Sequence, residues 1–369
     1  MQALVGGQDG DYRLANNVDI PVPGTGTMLC RVHAVAINPY DAMRLGYITT
    51  PGAIGGCDFA GTVVQIGAGV TRFRVGDRVL AFTTGLNPSD KAGGAFAEFA
   101  LARDNASCRV PESLSFAQAA SMGVSVAAAG LALFQAPGLQ LPMPQLDNAQ
   151  GQKSTTILVS GGATATGTMA TQLLKIAGYT PIVTCSPYNN AVCESYGASA
   201  CFDYHSPTCG ADIRGHTNNN LKHVLDCIAD ADTMNMCYKA IGSSGGTYTA
   251  LKPVVTSVKY TRRDVRADWV MIETVLGVSA EHGTIGRPSS KEHQVFGSRL
   301  FSLVEQFLQD GSLKPHPLDV RDGGLANIPE GVEHLRAGNV RGKKLVVPLT
   351  VQKERTAVSV TQLEPVGVI

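Results

Sequence analysis

Seven residues, Gly161-Gly162-Ala163-Thr164-Ala165-Thr166-Gly167, separate the apolar run TILVS from the helical pattern TMATQLLKIAG, which ends at Gly178. A helix N-terminus offers unpaired N–H groups and a partial positive charge, and small residues let the backbone close on an anion. The chemistry this suggests is phosphate binding. The stretch departs from a clean G-x-G-x-x-G, because several glycines have become Ala or Thr. Thr164 and Thr166 add hydroxyls able to donate to phosphate oxygens. A tight strand-to-helix turn without a ligand is the alternative. The strand–helix–strand setting favours a dinucleotide cradle.

The second strand of that unit, TPIVTCS, chooses the nucleotide. An acidic residue at its end would hold a ribose 2′-hydroxyl and repel a 2′-phosphate. No Asp or Glu occurs between Ser154 and Cys193. Ser186, Pro187, Tyr188 and Asn189 form the turn instead, and Tyr204 ends the next strand, placed to close over the adenine side. NADP is favoured, although no Arg or Lys stands in the turn to pair with the extra charge.

Other chemistry-bearing residues form no convincing site. Nine cysteines include Cys185, Cys193, Cys201 and Cys209 at eight-residue intervals. They are expected on a strand, a helix, a strand and a loop, and therefore not to converge; reduced thiols in a cytoplasmic protein are the reading. The eight histidines are scattered, and His33 and His205 read as surface or internally satisfied residues. Thirty basic residues balance thirty acidic ones, so no basic stripe points to nucleic acid or an acidic membrane. The start of the chain lacks a secretory pattern. The stretch 113–146 carries no charge, but three prolines break it, which favours a buried interface helix and a loop over a membrane span.

Two kinds of element must position these residues. The first part reads as short strands and turns: MLCRVHAVAIN (Met28–Asn38), alternating as a half-buried strand, FAGTVVQIG (Phe59–Gly67), a turn at Gly76-Asp77, and GGAFAEFALA (Gly93–Ala102). From Thr155 strand and helix alternate, which predicts a doubly wound parallel sheet. A helical stretch covers Ser289–Gly311, RGKKLVVPL reads as a last strand, and the tail from Val351 is polar and mixed. At 369 residues two domains are expected.

The segments GGCDFAGTVVQIG, VGDRV and GGAFAEFA, in order, resemble the medium-chain dehydrogenase/reductase family. The resemblance implies an α/β protein: a GroES-like, β-rich catalytic domain over 1–135, completed by about 312–369, and a Rossmann NADP-binding domain over 136–311. The family's zinc branch carries Gly-His-Glu where this chain has Gly56-Cys57-Asp58, and a ligand Cys where it has Asn38-Pro39-Tyr40-Asp41. Cys57 and Asp58 alone make no tetrahedral site, so a zinc-free member is expected.

AVAINPYDAM, GGATATGTMATQLLK, TCSPYN, FDYHSP and KKLVVPL further resemble the stand-alone, trans-acting enoyl reductases of fungal polyketide clusters. That resemblance implies an NADPH-dependent, monomeric enzyme reducing an enoyl thioester carried by a highly reducing polyketide synthase. A zinc-free quinone or enone reductase and a non-catalytic NADP-binding scaffold are the alternatives. The implied cofactor contacts are Tyr40, Asp41, Ala42 and Met43; Ala163, Thr164, Ala165 and Thr166; Ser186, Pro187, Tyr188, Asn189 and Tyr204; Leu251 and Lys252; and Gly342 and Lys343. The implied substrate groove is Ala129, Gly130, Leu131, Ala132, Leu133, Phe134, Gln135 and Ala136 with Ile272, Glu273, Thr274, Val275 and Leu276. Some relatives have Lys where Met43 stands, and Arg44 should point elsewhere. Tyr40 is the candidate polar group near the nicotinamide, as proton donor or positioning residue, with water as the other donor.

Overall fold

A computed structural model describes residues 1–47, 50–145, 155–282 and 285–349. The Val351–Ile369 tail, Leu146 and the side chain of Arg44 lie outside the described residues.

The continuous apolar run TILVS forms the Thr156–Ser160 strand, buried on both faces, as a central parallel strand must be. It lies inside a six-stranded sheet. The order is Cys201–Asp203, Thr180–Cys185, Thr156–Ser160, His223–Asp226, Gly246–Ala250, Val265–Trp269, with every pairing parallel. Chain order reverses between Thr156–Ser160 and His223–Asp226. Such a switch point opens a ligand crevice at the carboxyl ends of the strands.

Seven further strands build a second, mostly antiparallel sheet centred on Thr27–Ala36, and the pairs Ala3–Gly6 with Tyr12–Ala15 and Ala280–His282 with Ile285–Arg287 form two small hairpins. Leu318–Val320 and Lys344–Pro348 return from the far end of the chain to extend it. Thr27–Ala36 is more deeply buried than the alternation predicts: only Arg31 is exposed and His33 half-buried. His33 is stacked on Phe116, ring centroids 4.3 Å apart, and meets the Thr62 hydroxyl at 3.0 Å. In GGAFAEFALA only Phe99–Arg103 is strand. The preceding residues form a connector pinned by the Leu4 N–H to Phe96 O bond.

Between the sheets runs the helix Gly123–Phe134, every residue buried. With the short helix before it, this is the one stretch among the described residues with the length and composition of a membrane span, and it lies mostly inside the core. A Cβ on Gly130 would sit 2.3 Å from Leu300, so the helix packs tightly on the long helix Lys291–Gln309. Glu305 of that helix accepts from Arg109 Nε and from the Arg109 backbone N–H, both at 2.9 Å, and meets Arg72 at 3.4 Å. Asn105 reaches the Val275 carbonyl at 2.6 Å. These bonds fix the seven-stranded sheet against the elements that follow the parallel sheet.

Candidate active site

The Gly161–Gly167 stretch sits at the end of the Thr156–Ser160 strand and opens the helix Ala165–Ile176. Gly161 and Gly162 donate to Thr184 Oγ1 and O, at 3.1 and 2.9 Å, stapling the turn to the neighbouring strand. A Cβ on Gly162 would lie 2.5 Å from Val183, and one on Gly167 only 2.3 Å from the Gly161 carbonyl oxygen. Glycine is required at both points by close approach. Thr164 is the helix N-cap: it accepts from Gly167 N–H at 3.0 Å and donates to Gly161 O at 2.8 Å. Its single hydroxyl hydrogen is thereby used, which corrects the expectation that it donates to phosphate. The Ala165 and Thr166 amides have no intrahelical acceptor, and the Thr166 hydroxyl has no partner among the described residues. These donors fit a pyrophosphate.

The next turn holds Ser186, buried, which donates to the Tyr204 hydroxyl at 3.2 Å. Ser186 therefore works through Tyr204, whose half-exposed ring lies on His205 at 4.0 Å between centroids. Tyr188 is exposed at 67%. Gly342, with φ +62°, abuts Asn189: a Cβ there would stand 3.0 Å from Asn189 Oδ1. Lys343 follows it and is exposed. A basic residue thus borders the acid-free turn from the far end of the chain, beyond what sequence proximity reveals. Leu251 is half-buried and Lys252 exposed after the Gly246–Ala250 strand.

Across the cleft, helix Pro39–Tyr47 carries the other candidate residues. Asp41 and Ala42 point inward, 2% and 7% exposed. The Asp41 carboxylate accepts the Asn38 N–H at 2.7 Å and a hydrogen bond from the Cys57 thiol. Their side chains are therefore turned into the interior, which leaves the backbone of this pair to meet a cofactor; Tyr40 is half-buried and Met43 exposed. Beneath them Lys344 Nζ lies 3.3 Å from Asp58 Oδ2 and also donates to Asn38 Oδ1. Asp58 further accepts from Asn38 Nδ2 at 3.0 Å and from the Val124 N–H at 2.6 Å. Burial pushes Asp41 up to about 6 and raises Asp58 as well, against the pull of Lys344. Cys57 and Asp58 are committed to this network, and no group of three or more metal-binding side chains is arranged to hold an ion among the described residues. These residues do not fit zinc.

Tyr40 donates from its hydroxyl to the buried Glu273 carboxylate, 233 residues away. Glu273 lies in the turn Ile272–Leu276, with Thr274, Val275 and Leu276 buried and Ile272 half-buried. Ala129, Gly130, Leu131, Ala132, Leu133 and Phe134 are buried core residues backing the cleft, whereas Gln135 and Ala136 are half-buried at its edge.

Residues 24–112 match the alcohol dehydrogenase GroES-like domain, and residues 165–250 match the zinc-binding dehydrogenase domain. Over 350 residues the chain is 61% identical to a trans-enoyl reductase, grgB, of a Penicillium species, covering 95% of this chain and 98% of that one. A trans-enoyl reductase of Gibberella fujikuroi is 60% identical over 351 residues, 95% and 100% of the two chains. The chain belongs to the trans-enoyl reductases. Among solved structures the CurK enoyl reductase shares the fold with a TM-score of 0.74 at 17% identity, over 95% of this chain and 99% of that one. The JamJ enoyl reductase does so at 0.71 and 17%, with the same coverage. This enzyme is thus a medium-chain dehydrogenase/reductase, an oxidoreductase of a fold that uses a nicotinamide cofactor.

In this reductase two histidines without sequence signals join the cleft walls. His293 lies 2.7 Å from the Thr274 hydroxyl and 2.8 Å from the Ala136 carbonyl, tying both ends of the apolar wall together. His316, 6% exposed, meets Thr168 of the helix Ala165–Ile176 at 3.0 Å through Nδ1, while its Nε2 has no partner among the described residues. Burial, aided by Lys344, lowers His316 from 6.5 to about 4. The neutral ring is the folded form, so its contribution is complete above pH 6.5 and is lost as pH falls toward 4. A shift of this size corresponds to about 3 kcal/mol. Urea unfolding at pH 7.5 and 4.5 is expected to show wild type losing about that much more stability than His316→Gln; equal losses would contradict the assignment.

The cysteine expectation is corrected in the reductase. Cys185, Cys193 and Cys201 do converge: the Cys185 thiol donates to Asn190 Oδ1 at 3.3 Å and the Cys201 thiol to the Asn190 carbonyl at 3.8 Å, with Cys193 beside them. Adjacent parallel strands place Cys185 and Cys201 on one face, and the helix Asn190–Ser195 brings buried Cys193 onto it. Cys209 opens the helix Cys209–His216 and packs in a separate cluster.

Proposed function

We propose that the chain is an NADPH-dependent, trans-acting enoyl reductase. Its substrate is an α,β-unsaturated thioester delivered on the carrier domain of a highly reducing polyketide synthase. The observation that carries this reading is near-full-length similarity to trans-enoyl reductases, joined to a glycine-rich, capped turn at the switch point of the parallel sheet that fits a pyrophosphate. When bound, the nicotinamide supplies the hydride for the β-carbon. The chain's residues do the rest. The Ala165 and Thr166 amides hold the pyrophosphate, the turn Ser186–Asn189 with Lys343 holds the 2′-phosphate side, and Tyr204 closes over the adenine. Met43 lies at the cleft mouth, and the wall from Ala129 to Ala136 with Ile272–Leu276 keeps water from an apolar acyl chain. The protein works as a monomer in the cytoplasm, where its nine free thiols stay reduced.

The test compares acceptors and cofactors. With purified protein, an enoyl pantetheine thioester is expected to be reduced faster than a benzoquinone, and faster with NADPH than with NADH. Lys343→Gln should narrow the NADPH preference by roughly tenfold, the scale of one charge-assisted bond. Turnover of quinone with no thioester reduced would replace this reading with that of a small-acceptor reductase.

A further inference from the structure

The Tyr40–Glu273 bond joins the helix Pro39–Tyr47 to the turn Ile272–Leu276. Tyr40 stands in the first turn of the helix Pro39–Tyr47, two residues after Asn38, whose side chain is gripped by Asp58 and Lys344. Glu273 stands in the turn that follows the last strand of the parallel sheet. The tyrosine is half-buried and the glutamate is 4% exposed, so the phenol is the member of the pair nearer the cleft. The phenol has one hydrogen, and it is given to the Glu273 carboxylate. Toward the cleft the phenol oxygen then offers lone pairs only. Giving that hydrogen to a carbon would break a charge-assisted bond to a buried carboxylate, an expensive loss.

We infer that Glu273 is a positioning residue for Tyr40: it fixes the ring at the cleft and turns the phenol oxygen into a hydrogen-bond acceptor for the bound ligand. Resting on the thioester-reductase reading above, this assigns the α-carbon proton to water. As the new C–H bond forms, a water O–H bond breaks and hydroxide is released to solvent, while the phenol proton stays on the bond to Glu273.

The experiment measures kcat/KM for an enoyl pantetheine thioester with NADPH, the NADPH Kd and the Tm. The proteins are wild type, Glu273→Gln, Glu273→Ala, Tyr40→Phe and the double variant Tyr40→Phe/Glu273→Ala. Glu273→Gln keeps an acceptor oxygen for the phenol, so it is expected to stay within about threefold of wild type. Glu273→Ala and Tyr40→Phe each remove the bond and are expected to lower kcat/KM by roughly tenfold or more. In the double variant the loss should match the single ones within about twofold, the signature of coupled residues. Tyr40→Phe alters only the half-buried side of the pair, so the inference stays testable should Glu273→Ala fold poorly. A loss in Glu273→Gln as deep as in Glu273→Ala would overturn it, since the carboxyl would then be the proton source. So would additive losses, or a lower Tm with unchanged kcat/KM. Absence of thioester reduction by wild type itself would instead strike the underlying functional reading.

Discussion

Replacing Lys344 with Met is expected to destabilise the fold by about 3–5 kcal/mol, the cost of stranding a buried charge. Lys344 and Asp58 are both buried, 6% and 0% exposed, and Lys344 is the cation in contact with Asp58. Without it Asp58 retains only the Asn38 amide and the Val124 N–H, too little to hold a negative charge in that interior. The loss should shrink at acid pH, where Asp58 takes up a proton. Adding Asp58→Asn to Lys344→Met should recover part of the stability, because the uncompensated charge is gone. Urea unfolding of the three proteins checks this; a change below about 1 kcal/mol for Lys344→Met, the size of a surface pair, would contradict it. The same lysine holds Asn38 at the base of the helix bearing Tyr40, so activity should fall even in the fraction that remains folded.

Gly167→Ala is expected to weaken nucleotide binding by tenfold or more and to cost about 1–3 kcal/mol of stability through overpacking. The added methyl would meet Gly161 O at 2.3 Å and Gly162 Cα at 2.8 Å. Both are backbone atoms and cannot rotate away. The cradle turn must then lift off the helix, and the Gly167 N–H must leave the Thr164 hydroxyl that caps it. The free amides of the first turn would no longer point at one place. Fluorescence titration with NADPH reads the effect. An unchanged Kd would show that this turn does not hold the dinucleotide.

The architecture was legible where one signal dominates. Continuous apolar runs gave the central strands, and an uncharged Ala-rich stretch gave the interface helix. Helix Ala231–Ala240 went unread although its signal was present: Asp230 and Thr233 form a capping box. The edge strand Val265–Trp269 has charged residues at Arg266 and Asp268, which hid it from a search for apolar runs. Within the site, the glycine-rich strand-to-helix turn Gly161–Gly167 is local in sequence and therefore visible. The Asp58–Lys344 pair, the Tyr40–Glu273 bond and the approach of Gly342 to Asn189 join residues far apart in the sequence, and no spacing rule predicts such partners. The cysteines make the converse point: an eight-residue interval carried no meaning alone, and the register of two adjacent strands puts Cys185 and Cys201 on one face, to which the helix Asn190–Ser195 adds Cys193.

The central claim is hydride delivery to an enoyl thioester in this cleft. Its most direct test supplies NADPH deuterated at the transferable position, with an enoyl pantetheine thioester in ordinary water, and locates the label in the product by NMR. One deuterium on the β-carbon and a solvent proton on the α-carbon is the expected result. Oxidation of the dinucleotide with no deuterium in the thioester, or label appearing only in an added quinone, would contradict the account.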